Sequence, residues 1–317
     1  NMITAASTAN AVVLLIDATI GVVEQTKRHS FITSLLQIPH LIVCINKMDL
    51  VDYSESVFNE IVSQFQAFCS KLLINDIRFI PICALNGDNI VKRSSKIEWY
   101  QEAPLLHTLE SLHIGSDINK VDARLPIQTI FDHPLKKQSE YLAYAGRISS
   151  GIFRKGDEIT VLPSGLTSSI KTINVSEAKL NEAYTPMSVS VTLTDNLDIS
   201  RGDMIVRSNN KPSITQELEV MLCWLNTKKA SLQSNYIIRH TTNEHLGIIE
   251  EIVYKYDIDT LNRLTENNQI ETNDIARVKL KLNKPIMVDP FRINRSTGSI
   301  ILIDCKTNET VAAGMII

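Results

Sequence analysis

Two short runs carry the chemistry that this sequence offers. Asn46-Lys47-Met48-Asp49 follows the five apolar residues Leu41-Ile42-Val43-Cys44-Ile45, a run that reads as a strand buried on both faces. Ligands of parallel α/β sheets bind at the carboxyl ends of strands, and this is where the polar run falls. The Asp49 carboxylate can accept two hydrogen bonds, from N1–H and the 2-amino group of guanine. Adenine has no such donor pair, so one acid selects the base. The Lys47 stem can lie along the base plane, and Asn46 can tie neighbouring loops. One helix and one strand later comes Cys83-Ala84-Leu85-Asn86-Gly87-Asp88-Asn89. Backbone N–H groups of such a loop can reach guanine O6. That task needs a small second residue and a tight backbone, so a cysteine at the first position is tolerable. Asn46, Lys47, Met48, Asp49, Cys83, Ala84 and Leu85 are the expected nucleotide-binding residues.

Asn-Lys-x-Asp in this setting is the guanine-reading motif of the GTPases. The phosphate half of such a site is missing. No G-x-x-x-x-G-K-[ST] loop occurs, none of the 11 glycines precedes a lysine, and no D-x-x-G marks a magnesium-binding switch. The chain opens Asn1-Met2, and Ala5 to Ala9 reads as the end of a helix already under way. The expectation is therefore that the phosphate-binding part lies upstream of Asn1. Two charge-assisted hydrogen bonds of about 1.5–3 kcal/mol each would leave this stretch alone with roughly millimolar affinity at best. It should neither hold GTP tightly nor hydrolyse it.

The elements that must position these residues follow from pattern. Ala11–Ile16, Leu41–Ile45 and Asp76–Leu85 read as strands; Val22–Leu36, Ser56–Leu73 and Leu105–Leu112 read as helices. The alternation argues for a doubly wound parallel domain. From Leu125 onward short alternating runs replace helical periods: Pro126–Phe131, Tyr141–Ile148, Glu158–Leu162, Ser188–Leu193 and Met204–Val206. Lys155-Gly156-Asp157-Glu158-Ile159 and Arg201-Gly202-Asp203-Met204-Ile205 echo each other as two similar hairpin corners. Ser208–Ser213 reads as a short linker. Beyond it, Leu218, Val220, Leu222 and Trp224 alternate with polar residues, and further strands make a second barrel. The expected fold is multidomain, α/β plus all-β: an incomplete doubly wound domain over 1–122, a β-barrel over 123–209 and a second antiparallel β-barrel over 210–317.

Composition narrows the partners. Net charge is −3, with 9 Lys+Arg and 12 Asp+Glu up to Val121 and 23 of each beyond it, so no domain is basic overall and composition gives no push toward nucleic acid. No apolar run approaches the ~18 residues of a membrane span, and the opening lacks a signal-peptide pattern. Five dispersed cysteines without C-x-x-C suit a reducing cytosol and argue against a disulfide framework or a zinc site. His240 and His245 have poor metal-ligand spacing. Trp99-Tyr100 reads as packing, with base stacking as the alternative. Arg292, Arg295 and Lys306 read as solvated edge charges, with a partner surface as the alternative. No catalytic residue and no metal ligand is singled out.

With these motifs in line, the chain resembles the translational GTPase superfamily, and within it the GTPase subunits of bacterial ATP sulfurylases. The stretches that carry the resemblance run end to end: Gly21–Ile32, Asn46–Tyr53, Asn86–Val91, Trp99-Tyr100, Asp289–Ser299, Ile301–Asp304 and Thr310–Ile316. The resemblance implies GTP as ligand, with Mg2+ held by residues upstream of Asn1. It implies a separate catalytic sulfurylase subunit as partner, in a heterodimer or larger assembly, which joins ATP and sulfate into adenosine 5′-phosphosulfate and diphosphate while GTP hydrolysis drives the reaction. Sulfate assimilation in the cytoplasm follows, with no nucleic-acid or membrane partner. Some members continue into an adenylylsulfate kinase domain. The alternative is an elongation-factor-like GTPase that delivers aminoacyl-tRNA; the zero net charge beyond Val121 speaks against it.

Overall fold

The computed structural model describes residues 9–74, 76–114, 119–132, 142–176, 178–266 and 269–317. The helix end expected at Ala5–Ala9 therefore lies almost wholly outside the described residues. The chain forms two compact units: Asn1–Ser116 with Tyr256–Leu264, and Asp117–Lys255 with Thr265–Ile317.

The first unit runs β1 (Ala11–Asp17), α1 (Glu24–Leu35), β2 (His40–Asn46), a 3-10 turn (Met48–Val51), α2 (Glu55–Cys69), β3 (Asp76–Pro81) and α3 (Leu105–Glu110). The strands pair in parallel, in the order β1-β2-β3. Leu41 to Ile45 in the middle strand are fully buried, because helices cover both sheet faces. On one side Phe58, Ile61, Phe65 and Phe68 of α2 pack on Leu14, Ile16, Leu41, Val43 and Ile45. On the other, Ile42, Cys44, Ile80 and Ile82 meet Ile97, Tyr100 and the α3 leucines 105 and 109. Each fully buried large apolar side chain contributes about 1.5–3 kcal/mol. The α2 start is capped by Ser54, which accepts from Val57 N–H, so the helix begins one residue before its expected start. Its far end stops short of Leu73, at Cys69. Helix α1 buries a mixed face, Thr26, Ser30, Phe31, Ile32 and Thr33. Its hydroxyls turn back on the helix, Ser30 to Thr26 O and Thr33 to His29 O, each at 2.8 Å, which lets polar residues sit inside. In the same unit, the Phe31 and Tyr256 rings meet edge-on at 4.8 Å and Lys27 pairs with Asp259 at 2.8 Å.

The second unit holds two rings of strands. The first is built from β4 (Arg124–Pro126), β5 (Thr129–Asp132), β6 (Leu142–Arg147), β8 (Glu158–Leu162), β9 (Thr167–Val175), β12 (Ser188–Leu193) and β13 (Met204–Arg207); β10 (Ala178–Leu180) adds to the side of β9, and β7 (Ile152–Arg154) pairs with β11 (Glu182–Tyr184) as a separate two-stranded sheet. The order in the ring is β4-β13-β8-β9-β12-β6-β5. The path closes because β4 and β5 are one stretch bent at Ile127-Gln128. Ile127 N–H donates to Asp203 O and Gln128 N–H to Ala145 O, both at 2.8 Å, so the stretch pairs with β13 on one side and β6 on the other. Gly146 is required there: an added Cβ would collide with the carbonyl oxygen of Pro126. The two echoed corners fold alike. Asp157 accepts from Arg154 N–H and Asp203 from Ser200 N–H, each at 2.8 Å, and the strands that follow, β8 and β13, pair with each other.

The second ring uses β14 (Ser213–Trp224), β15 (Asn235–His240), β16 (Asn243–Tyr256), β18 (Ile275–Val288), β19 (Ser299–Asp304) and β20 (Thr310–Ile316), with β17 (Arg263–Leu264) outside it. The order β15-β19-β20-β14-β18-β16 is shut by β15–β16 pairing into a closed six-stranded barrel. Leu218, Val220, Leu222 and Trp224 point into its core, as their alternation requires.

A buried polar seam joins the rings. The Arg124 guanidinium, 2% exposed, grips Asp289 in two hydrogen bonds of 3.0 and 2.9 Å. It also donates to Ala123 O and to both oxygens of Asn210, while Thr297 Oγ1 donates to Asp289 at 2.6 Å. Asn210 lies within the stretch expected as a linker. The stretch does connect the rings, but it is fastened rather than slack.

Candidate guanine-recognition site

The carboxyl ends of β1, β2 and β3 bring the two expected runs together. Ile82 N–H donates to Ile45 O at 2.8 Å, and Met48 N–H to Ile82 O at 3.3 Å, so the loops after β2 and β3 leave the sheet side by side. Each residue of the four is held by a different partner. Asn46 Oδ1 accepts Ala84 N–H at 2.9 Å, which ties the loops together. Lys47 takes a left-handed backbone, φ 64° and ψ 36°, unusual for a residue with a side chain. Its Nζ lies 2.6 Å from Asp17 Oδ2. Met48 is completely buried and pins the 3-10 turn. Asp49 Oδ1 accepts the Cys83 thiol at 3.0 Å. Burial, and then the Asp49 carboxylate, push the Cys83 pKa up, so the sulfur keeps its proton and donates it.

Behind the loop, Gly87 (φ 79°) makes the turn that returns Gly87 and Asp88 N–H to Cys83 O, at 2.8 and 3.1 Å. Asp88 anchors this turn to its surroundings, accepting from Tyr53 OH at 2.8 Å and Ser94 Oγ at 2.7 Å. Burial alone would raise its pKa; the Ser94 and Tyr53 hydrogen bonds and nearby Lys96 hold it below the usual range. The Leu85 side chain is 88% exposed. The Ala84 N–H is engaged by Asn46, so a guanine O6 arriving there would share or displace that bond.

Sequence reasoning did not single out Asp17, Tyr53 or Asp88. Asp17 stands in register with Asn46 across β1 and β2, a juxtaposition that strand-end alignment could have signalled. Trp99 and Tyr100 serve packing: Trp99 lies against Phe58 at 5.1 Å and donates to Tyr53 O, and Tyr100 OH donates to Phe79 O. His240 is buried with Nε2 2.8 Å from Thr297 O, and burial pushes its pKa down. Among the described residues no group of three or more His, Cys, Asp or Glu is placed to hold a metal, and no helix is long and apolar enough to cross a membrane. A cleft of about 480 Å³ in the second unit is lined by Asp203, His245 and Lys284 among others; it contains none of the expected base-reading residues.

Known proteins match these two regions. Residues 1–114 match the model of the elongation factor Tu GTP binding domain, and residues 217–317 that of the GTP-eEF1A C-terminal domain-like family. A solved structure of sup35 complexed with GDP shares the fold, with TM-score 0.57 and 22% identity over 100% of this chain and 80% of that one. The bifunctional enzyme CysN/CysC of Rhodopirellula baltica is 48% identical over all of this chain, which spans 48% of that protein. The Mycobacterium tuberculosis protein of the same name is 43% identical, with 52% of its length spanned. The chain thus spans about half the length of these curated relatives. Sulfate adenylyltransferase subunit 1 of a Sulfurovum species is 43% identical over all of this chain and 67% of its own length. The chain belongs to the sulfate adenylyltransferase subunit 1 family of the translational GTPase superfamily.

Proposed function

We propose that this chain is the base-reading and barrel portion of the GTP-binding subunit of a heteromeric sulfate adenylyltransferase. The observation that carries the reading is the Asp49 carboxylate, held by Cys83 at the rim of a parallel sheet beside a loop tied to Asn46. Its free lone pairs suit the N1–H and 2-amino donors of guanine. The residues present fit the base end of GTP. Bound GTP would supply hydrolysis energy to the coupled reaction. Among the described residues no Mg2+ ligand set is assigned, and phosphate binding belongs to residues outside these motifs.

In this reading the partner is the catalytic sulfurylase subunit, which forms adenosine 5′-phosphosulfate from ATP and sulfate, and the setting is the cytoplasm. The domain division 1–122, 123–209 and 210–317 belongs to the same proposal. Co-expression of the full-length gene with a catalytic subunit tests it. The expected result is a complex whose sulfate-dependent diphosphate release rises with GTP. A complex indifferent to GTP, or recovery of elongator tRNA in place of the catalytic subunit, would overturn it.

A further inference from the structure

We propose that Asp17, which lies outside the base-reading motif on a neighbouring strand, is a positioning residue that fixes the Lys47 side chain as one wall of the base slot and slows nucleotide release. The inference rests on the guanine reading above and adds a residue to it.

Three features of the geometry support it. The first is register: Asp17 pairs with Asn46, and Ala18 N–H donates to Asn46 O at 2.9 Å, so the β1 end cannot slide relative to the motif. The second is a fixed acceptor. Asp17 Oδ1 accepts Thr19 N–H at 2.9 Å and Thr19 Oγ1 at 2.7 Å, which leaves Oδ2 for Lys47 at 2.6 Å. The third is the left-handed Lys47 backbone, which sends the side chain across toward β1. A lysine side chain is flexible and costly to order. Here the Asp17 contact orders it, and preorganisation of this kind strengthens binding by removing an ordering cost. The Lys47 hydrogen bond, then Thr19, hold the Asp17 pKa at about 2, so the carboxylate is charged throughout the neutral range.

Lys47 is half exposed, and exposed pairs are weak; the expected effect is about two- to fivefold. The experiment is stopped-flow release of a fluorescent GDP analogue from the full-length protein. Asp17→Ala should release it about two- to fivefold faster, and Asp17→Glu should restore much of the difference. Asp17→Asn keeps an acceptor for Thr19 and loses the charge, so it should also accelerate release and serves if the alanine variant does not fold. In a Lys47→Met background the Asp17 substitutions should add nothing. Preference for guanine over xanthine should not move. Unchanged release, or the same acceleration without Lys47, would overturn the inference. An Asp49→Asn control separates the two readings: if it fails to shift base preference, the guanine assignment fails; if it shifts and Asp17 has no effect, only the Asp17 role fails.

Discussion

The rim of the parallel sheet and the seam between the rings both gather charged and polar side chains, and they do opposite things with them. At the seam the charged pair is turned inward. Arg124 and Asp289 are almost wholly buried, and Asn210 and Thr297 take up the remaining donors and acceptors. That pair has its hydrogen-bonding groups engaged inside the protein. At the rim, Asn46, Lys47 and Asp49 are each held by one partner but stay partly open to solvent. Polar residues satisfied in full make a fastening; polar residues satisfied on one side only make a site.

The sharpest way to break this contrast is to alter the acid at the rim. Asp49→Asn in the full-length protein exchanges an acceptor for a donor. GTP binding should weaken by about 3–6 kcal/mol, the worth of two charge-assisted hydrogen bonds, while XTP, whose 2-oxo group accepts from the new amide, should bind in its place. Nucleotide displacement titrations read both. Stability should change little, since Asp49 is partly open to solvent and the substituted amide keeps an oxygen that can accept the Cys83 thiol.

The seam should behave inversely. Arg124→Ala strands a buried carboxylate and should cost about 3–5 kcal/mol in urea unfolding, with no change in base preference. Replacing Arg124 by Met and Asp289 by Leu together should recover most of that loss. If the single variant costs under about 1 kcal/mol, as exposed pairs do, the seam is not the closed fastening described.

A proton probes the same region more gently. His240 sits neutral beside Thr297, its pKa pushed below 6.5 by burial. The unfolded chain takes up a proton there as pH falls through about 6.5, and the folded chain does not. Its contribution is therefore complete above that pH and declines below it, by at most about 1.4 kcal/mol per pH unit. Urea titrations at a series of pH values should show this slope, and His240→Gln should flatten it.

The smallest effect belongs to Cys83. Removing its thiol in Cys83→Ala takes one weak donor from Asp49 and should loosen GTP by no more than a few-fold, about 1 kcal/mol or less. Cys83→Ser should match the parent within about twofold. A large loss in the serine variant would mean the sulfur does more than hold the acid.

The motif and its strand were legible because their signals are local. Leu41–Ile45 is apolar throughout, as a doubly covered strand must be, and the polar run begins where it ends. The mirrored corners at Gly156 and Gly202 were legible because turn chemistry repeats in the residues themselves. What escaped reading depends on partners far apart in the chain. Asp17 meets Lys47 only through parallel register, and Arg124 meets Asp289 only after both rings have closed. Helix α1 was recognisable, but not why Thr26, Ser30 and Thr33 could be buried; that depends on hydroxyls bonding back to the helix's own carbonyls.

The bend at Ile127-Gln128 has a consequence for how this protein can change. One continuous stretch serves as both lips of the first cylinder, so extra residues placed there would pull it away from β13 and from β6 at once. The tip around Gly165, with open space around it, has no such double duty. Lineages should differ in length at that tip and keep the bend at fixed length.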